Sequence, residues 1–467
     1  MSLRFPRRRK RTPGEVTVRQ LRLLAVGLLV GLAWPLVVLA TQGGNGVGPR
    51  PWFITVMVWA LGTIVTFVVI YLLRHYFFTL NRLFGRQRYP YLDVDTADWP
   101  EITVMIPCHN EEKVIHRILT ALLEVDYPRD RLKILPINDR SEDRTGEIID
   151  DFADRHLHTV TPFHRTEGRG GKGAALRAAM PEVQTDVILV FDADYVPGRG
   201  LIKQLVAPFF DPEVGAVMGR VIPSNVDHSL LTRLLDLERS GGYQVDQQAR
   251  MNLRLVPQYG GTVGGVRKSA LDSVGGWSED TLAEDTDATY RLLLGGWKTV
   301  YQNRSECYEE VPQTWDGRMN QVLRWARGHN QTMTRYLFPL LRNRRTGFWE
   351  KVDGTLLLGV YMMSPVLLVG WTLAMVLWYL GENRPGLLIV LAVASYSTIG
   401  NFATFFEVAA ATHLDGTRER ARLIPFILLG FLVTILSVTR GTLSQLLPQH
   451  PERALRWHKT ERNGGPS

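Results

Sequence analysis

Two cysteines in 467 residues, Cys108 and Cys307, leave no basis for a disulfide framework and fit a reducing compartment. The net charge of +8 is not interleaved with exposed aromatics and gathers at the ends of apolar runs, so nucleic acid is a poor partner and anionic lipid headgroups are a better one. P-loop spacing is missing from the glycine-rich stretch 168–173, which therefore does not by itself identify a phosphate site. Charge is nearly missing from residues 23–39, 52–73, 356–380, 387–411 and 423–438, five apolar runs that read as membrane spans. The first is too long for a signal-peptide core and is soon followed by a second, although Arg7, Arg8, Arg9, Lys10 and Arg11 resemble a charged leader.

The runs divide the chain. A basic N-terminus with two spans covers residues 1–81, and an α/β domain covers 82–310. Interfacial helices follow over 311–350, about three spans over 351–447 and a basic tail over 448–467, with no appended regulatory domain expected. Basic residues lie before the first span and, as Arg74, Arg82, Arg86 and Arg88, after the second, while the loop between carries only Arg50. That asymmetry predicts a cytoplasmic α/β domain. Three further spans would put the tail outside, yet Arg453, Arg456, Lys459 and Arg462 predict a cytoplasmic tail. The segment 387–411 resolves the conflict if it re-enters or lines a protein interior, because Ser395, Ser397, Asn401 and Glu407 are costly against lipid.

Within the domain, residues 187–194 read VILVFDAD, a buried β run of a parallel sheet ending in two carboxylates. Asp192 and Asp194 point to one side of an extended chain, and like charges so close call for a hard divalent cation such as magnesium. They read equally as loop aspartates opening the turn at Pro197 and Gly198. Residues 102–106 form a β run before a helical pattern through Leu123, the first half of a nucleotide-binding α/β unit. The run 133–137 ends in Asn138 and Asp139, at the strand edge where ligands sit.

Gly168–Gly173 precedes an alanine-rich helix, offering backbone amides, a helix start and the Lys172 charge to a phosphate, or else forming a flexible surface loop. The glycine-dense 259–265, with Gly261 and Thr262, lets the backbone approach something bulky or makes a tight hairpin. Glu284 and Asp285 open a helix closed by Gly295 and Gly296, where carboxylates also serve as caps. Gln321, Arg324 and Trp325 share one helical face, suited to a diphosphate and a flat ring or to the membrane interface.

Asp139, the Asp192-Ala193-Asp194 triplet, the Glu284-Asp285 pair and the Gln321, Arg324, Trp325 set, in this order between spans, resemble the membrane-bound family-2 glycosyltransferases, which include cellulose, hyaluronan and chitin synthases. The resemblance covers roughly residues 102–335 and the flanking spans, and residues 234–252 and 257–265 are more narrowly similar to β-monoglucosyldiacylglycerol synthases. It implies a GT-A, Rossmann-like α/β domain inserted between transmembrane helices of a bacterial inner or internal membrane, with the active site cytoplasmic. Asp139 would meet the uracil, Lys172, Arg324 and Glu284 the nucleotide sugar, and Asp192 and Asp194 the nucleotide with its Mg2+, or Mn2+ in its place. Asp285 would be the general base, with Gln321, Trp325, Gly261 and Thr262 on the acceptor side. Asn138 stands where many relatives have a second aspartate, and Ala283 where many have threonine.

The implied reaction is inverting transfer of glucose from UDP-glucose to 1,2-diacylglycerol. The chemistry is self-sufficient: a metal stabilises the departing diphosphate, one carboxylate takes the acceptor proton, and no obvious second carboxylate offers itself for a double displacement. The alternative is a processive synthase of a β-linked extracellular polysaccharide. A catalytically silent assembly factor fits poorly, since every carboxylate the chemistry needs is present.

Overall fold

In the computed structural model, residues 52–91, 94, 98–382, 384–398 and 405–446 are described. The basic N-terminus, the expected first span at 23–39 and the tail from 448 lie outside them.

Eight strands form one mixed sheet: β1 (Ile102–Cys108), β2 (Leu132–Asp139), β3 (Phe163–Arg165), β4 (Val187–Val190), β5 (Val196–Pro197), β6 (Val214–Pro223), β7 (Gly264–Arg267) and β8 (Lys298–Glu309). Their order is β3-β2-β1-β4-β7-β6-β8-β5. The first four are parallel and connected by helices, a Rossmann-like half that carries its polar residues to one edge. β4 is apolar throughout because both its faces are covered; Ile188, Leu189 and Val190 are fully buried. The expectation of a parallel neighbourhood holds on one side of β4 only. β1 lies parallel to it, but β7 inserts antiparallel between β4 and β6. Gly264 and Gly265 serve that insertion, since a Cβ on Gly265 would lie 2.6 Å from Leu189 Cδ2 and one on Gly264 2.5 Å from Val217 O. Those two glycines therefore sit in a packed strand, not in a hairpin tip.

Among the described residues, three helices are long and apolar enough to cross a membrane: Trp52–Phe84, Val360–Tyr379 and Arg418–Gln445. The 33 residues of the first extend about 50 Å at 1.5 Å per residue, well beyond a hydrocarbon core of about 30 Å. Its last turns leave the apolar zone and dock on the α/β domain, where Arg82 Nε donates to Gln244 O at 2.7 Å. Within the run 387–411, residues 387–398 belong to helix Pro385–Thr398 and residues 405–411 to helix Phe405–Leu414. Two of the run's polar groups turn to protein, and Ser397 and Asn401 lie outside the described side chains: Glu407 is fully buried with its Oε1 2.8 Å from His75 Nδ1, and the Ser395 hydroxyl accepts from Trp371 Nε1 at 3.3 Å.

Candidate active site

A cavity of about 850 Å³ opens over the carboxyl ends of β1, β2 and β4 and continues to Tyr71, Leu356, Leu357, Val360 and Tyr361 on the apolar helices. Asp139, Lys172, Asp192, Thr262, Glu284, Asp285, Gln321, Arg324 and Trp325 all line it. Residues separated by almost two hundred positions thus meet in one space. Gly261 and Asp194 are not on its wall.

On the sheet side, Asp139 ends β2 and is buried. Its Oδ1 accepts from Arg140 Nε at 3.0 Å and Arg165 Nη1 at 3.1 Å, two arginines that the motif reading did not assign. The glycine-rich turn brings Gly171, at φ +114°, to the start of helix Lys172–Ala179. Lys172 Nζ donates to Asp192 Oδ1 at 2.5 Å. Burial works against the Lys172 charge, but Asp192 and Glu284 outweigh it and raise the pKa above the usual lysine value. Asp194, one residue beyond Ala193, is buried and its Oδ2 accepts the Glu310 N–H at 3.3 Å.

Asp285 sits in the first turn of helix Glu284–Gly295. Gly261 holds the chain against it: at φ +72°, a Cβ there would stand 2.9 Å from Asp285 Cβ. The bulky neighbour expected of this glycine is Asp285 itself. Burial raises the Asp285 carboxyl, opposed by hydrogen bonds from Thr286 and by the Lys172 and Arg324 charges. Glu284 is also raised, by burial first and then by Asp285. Two adjacent carboxyls with pKa values pushed up by desolvation are suited to proton transfer near neutral pH.

Gln321, Arg324 and Trp325 lie on helix Trp315–Arg342. Arg324 lines the cavity, and its charge acts on the Glu284 and Asp285 carboxyls. Trp325 is flanked by guanidinium groups, but by Arg239 at 5.3 Å and Arg318 at 5.4 Å from its ring, not by Arg324. Gln321 Oε1 accepts from Arg318 Nη1 at 2.8 Å. Sequence spacing could not reveal Arg239, which arrives from helix Leu230–Ser240, whereas Arg318 precedes Gln321 by three and Trp325 by seven residues on their own helix and was open to it.

Magnesium and manganese take oxygen ligands and commonly borrow several from substrate phosphates. The two carboxylates of the 192–194 triplet suit that arrangement in donor type. Among the described residues, the group with three close ligand atoms lies elsewhere, at His75, Asp246 and Glu407. That group is an ion-pair node: Arg74 Nη2 and Arg250 Nε each stand 2.8 Å from an Asp246 oxygen, and with two guanidinium groups in place the charge a cation would supply is already there.

Residues 100–328 match the family described as glycosyltransferase-like family 2. A probable glycosyltransferase of Bacillus subtilis is 34% identical over 53% of this chain and 59% of its own length. A β-monoglucosyldiacylglycerol synthase of Synechocystis is 31% identical over 66% of this chain and 62% of its own. The chain thus spans about three fifths of these two relatives. The synthase of the same description from Nostoc is 27% identical over 82% of this chain and 81% of its own. Among solved structures, a mannosyltransferase of Pyrobaculum calidifontis, in complex with GDP-Man and Mn2+, overlays with a TM-score of 0.57 at 19% identity, covering 83% of this chain and 99% of that one. The likeness is one of fold, consistent with a GT-A arrangement.

Proposed function

Because residues 100–328 are a glycosyltransferase family 2 domain, we propose that the chain transfers glucose from UDP-glucose to 1,2-diacylglycerol with inversion, as a multi-pass membrane enzyme whose active site faces the cytoplasm. The observation that carries the reading is the continuity of one cavity from the strand ends to Tyr71, Leu356, Leu357, Val360 and Tyr361. A donor bound over the sheet and a hydroxyl arriving from the bilayer would meet at Asp285. The similarity to two β-monoglucosyldiacylglycerol synthases supports the same acceptor.

Asp139 would contact the uracil, and Lys172 and Arg324 the diphosphate. Asp192 on the cavity wall, with diphosphate oxygens and with Asp194 buried behind it as the second carboxylate, would hold a Mg2+ or Mn2+ ion, which when bound supplies charge stabilisation to the leaving group. Asp285 accepts the acceptor's hydroxyl proton as its oxygen forms the bond to C1 of glucose. The C1–O bond to the phosphate breaks, and UDP departs with the electron pair. One displacement turns an α-linked donor into a β-glucoside. Gln321, Trp325, Gly261 and Thr262 shape the acceptor side, and basic residues at the span ends would engage anionic headgroups.

The test is incubation of purified protein in micelles with Mg2+, diacylglycerol and UDP-glucose labelled in the sugar. Label in an organic-soluble glycolipid is the expected result; label in an insoluble polymer without glycolipid overturns the reading in favour of a polysaccharide synthase.

A further inference from the structure

Two residues that the motifs do not include, Gln258 and His329, converge on the residue next to the proposed base. Gly328 allows it: a Cβ there would lie 2.6 Å from Ala283 Cβ and 2.8 Å from Ala283 N, so helix Trp315–Arg342 presses directly on the start of helix Glu284–Gly295. His329 Nε2 then falls 3.2 Å from Thr286 Oγ1. Gln258 Nε2 donates to the same oxygen at 3.0 Å. Thr286 Oγ1 is in turn 3.3 Å from Asp285 Oδ1, which also accepts the Thr286 N–H at 2.6 Å.

Donor and acceptor accounting sets the direction of each bond. A hydroxyl has one proton and two lone pairs, and an amide nitrogen only donates. His329 is buried, and its Nδ1 has no hydrogen-bond partner among the described residues. A proton on Nδ1 would be an orphaned buried N–H, which native structures avoid more strictly than an unfilled acceptor. The proton therefore sits on Nε2 and points at Thr286. Burial pushes the His329 pKa down to about 4, so the ring does not carry both protons at neutral pH. With both lone pairs of Thr286 Oγ1 filled, its own proton is committed to Asp285 Oδ1.

We propose that His329 and Gln258 are positioning residues for the base: through Thr286 they hold Asp285 with Oδ1 occupied as an ionised acceptor, leaving Oδ2 for the proton of the acceptor hydroxyl. This rests on Asp285 being the base of the proposed reaction. The Thr286 backbone N–H lowers the Asp285 pKa independently of these two residues, and the Thr286 hydroxyl, which they orient, lowers it further against the desolvation that raises it. The device also explains why a histidine can be kept neutral and out of the solvent beside a catalytic group without titrating itself.

Histidine has two conservative replacements that separate its nitrogens. Glutamine carries an N–H out to the distance of Nε2, whereas asparagine places its amide near Nδ1 and falls short of Thr286. His329→Asn is expected to lower kcat about tenfold, the value of one hydrogen bond to a charged group's partner, with donor and acceptor KM unchanged within about twofold. The acid limb of its pH profile is expected to move to higher pH. His329→Gln is expected to stay within about threefold of the unmodified enzyme, because the one bond that matters survives. The groups facing Asp285 from the elements around it, Lys172, Glu284, Arg324, Tyr243, Tyr259 and Tyr361, are the same in both variants, so the displacement is read against a constant background. Equal losses in the two variants, or a loss confined to KM, overturn the proposal.

Should either His329 variant fail to fold, Thr286→Ser and Thr286→Val carry the same question. Serine is expected to retain kcat and valine to lose it, and indistinguishable kcat values overturn the proposal. Appreciable turnover in Asp285→Asn would instead defeat the assignment of the base. A dead Asp285→Asn together with a fully active His329→Asn defeats this inference alone.

Discussion

Gly261→Ala tests whether the glycine-dense stretch exists to place the base. Two effects add at this position. The backbone stands at φ +72°, where an L side chain costs about 1–2 kcal/mol. The new methyl would also lie 2.9 Å from Asp285 Cβ, so Asp285 or the chain must give by roughly half an ångström to restore ordinary contact. Since misplacing a reacting group by about 1 Å costs about a hundredfold in rate, a fall in kcat between about tenfold and a hundredfold is expected. Gly275→Ala isolates the first effect: its φ is +95°, yet a Cβ there meets nothing within 4 Å, and it does not line the cavity. Both variants are expected to lose thermal stability in micelles, Gly261→Ala the more because its overlap with Asp285 adds to the backbone strain, while only Gly261→Ala loses kcat in a glycolipid-forming assay. Full kcat in Gly261→Ala, or an equal loss in Gly275→Ala, would refute the argument that close approach to Asp285 is what this glycine provides.

Burial raises the Asp285 pKa against the pull of Thr286, Lys172 and Arg324, and the base must be ionised to work, so kcat/KM is expected to fall with decreasing pH along a limb above the ordinary aspartate value of about 3.9. A limb at or below that value contradicts the assignment. Arg324→Lys keeps the charge but loses the planar fork, and is expected to raise the donor KM about tenfold in initial-rate measurements with little change in the acceptor KM. Asp192→Ala is expected to abolish transfer and the response to added Mg2+ together; retention of full activity in a chelator would exclude the metal reading. Arg250→Met strands Asp246 and Asp353 in a buried site still shared with Arg74, and is expected to cost about 3 kcal/mol in thermal unfolding, with a neutral result disproving the value placed on that lattice.

Much of this was legible along the chain because the informative features are local. A strand that ends in carboxylates, a helix opened by Glu284 and Asp285 and a face shared by Gln321, Arg324 and Trp325 are each written within a few residues. Distances between segments were not legible. β7 enters antiparallel between β4 and β6 from a stretch with no strand-like periodicity, because Gly264 and Gly265 are chosen for the neighbours they must clear. The Arg239 guanidinium on Trp325 comes from another helix, and His329 gains its meaning only where Gly328 brings two helices together. The triplet shows the same limit in reverse: sequence pairs Asp192 with Asp194, while the fold puts Asp192 on the cavity wall and turns Asp194 to the Glu310 amide.

The buried lattice of Arg74, Arg250, Asp246 and Asp353 completes the geometry. Arg74 belongs to helix Trp52–Phe84, Asp246 to the π-helical turn Gly241–Gln247, Arg250 to helix Gln248–Leu253 and Asp353 to helix Phe348–Leu358. Each arginine bridges both aspartates at 2.8–3.0 Å, so the four charges alternate and every one is paired. Burying them costs desolvation, and apolar packing would hold the elements together as well. What alternating charge adds is directional contact, which an apolar seam lacks: a sliding movement that separates one pair leaves a charge uncompensated in a poorly screened interior. Helix Trp52–Phe84 is thereby fixed against the π-helical turn, helix Gln248–Leu253 and helix Phe348–Leu358. Arg74, Asp246 and Arg250 also line the cavity that holds Asp285, so under the proposed function the lattice would help set how far an acceptor hydroxyl must travel from the apolar helix to the base.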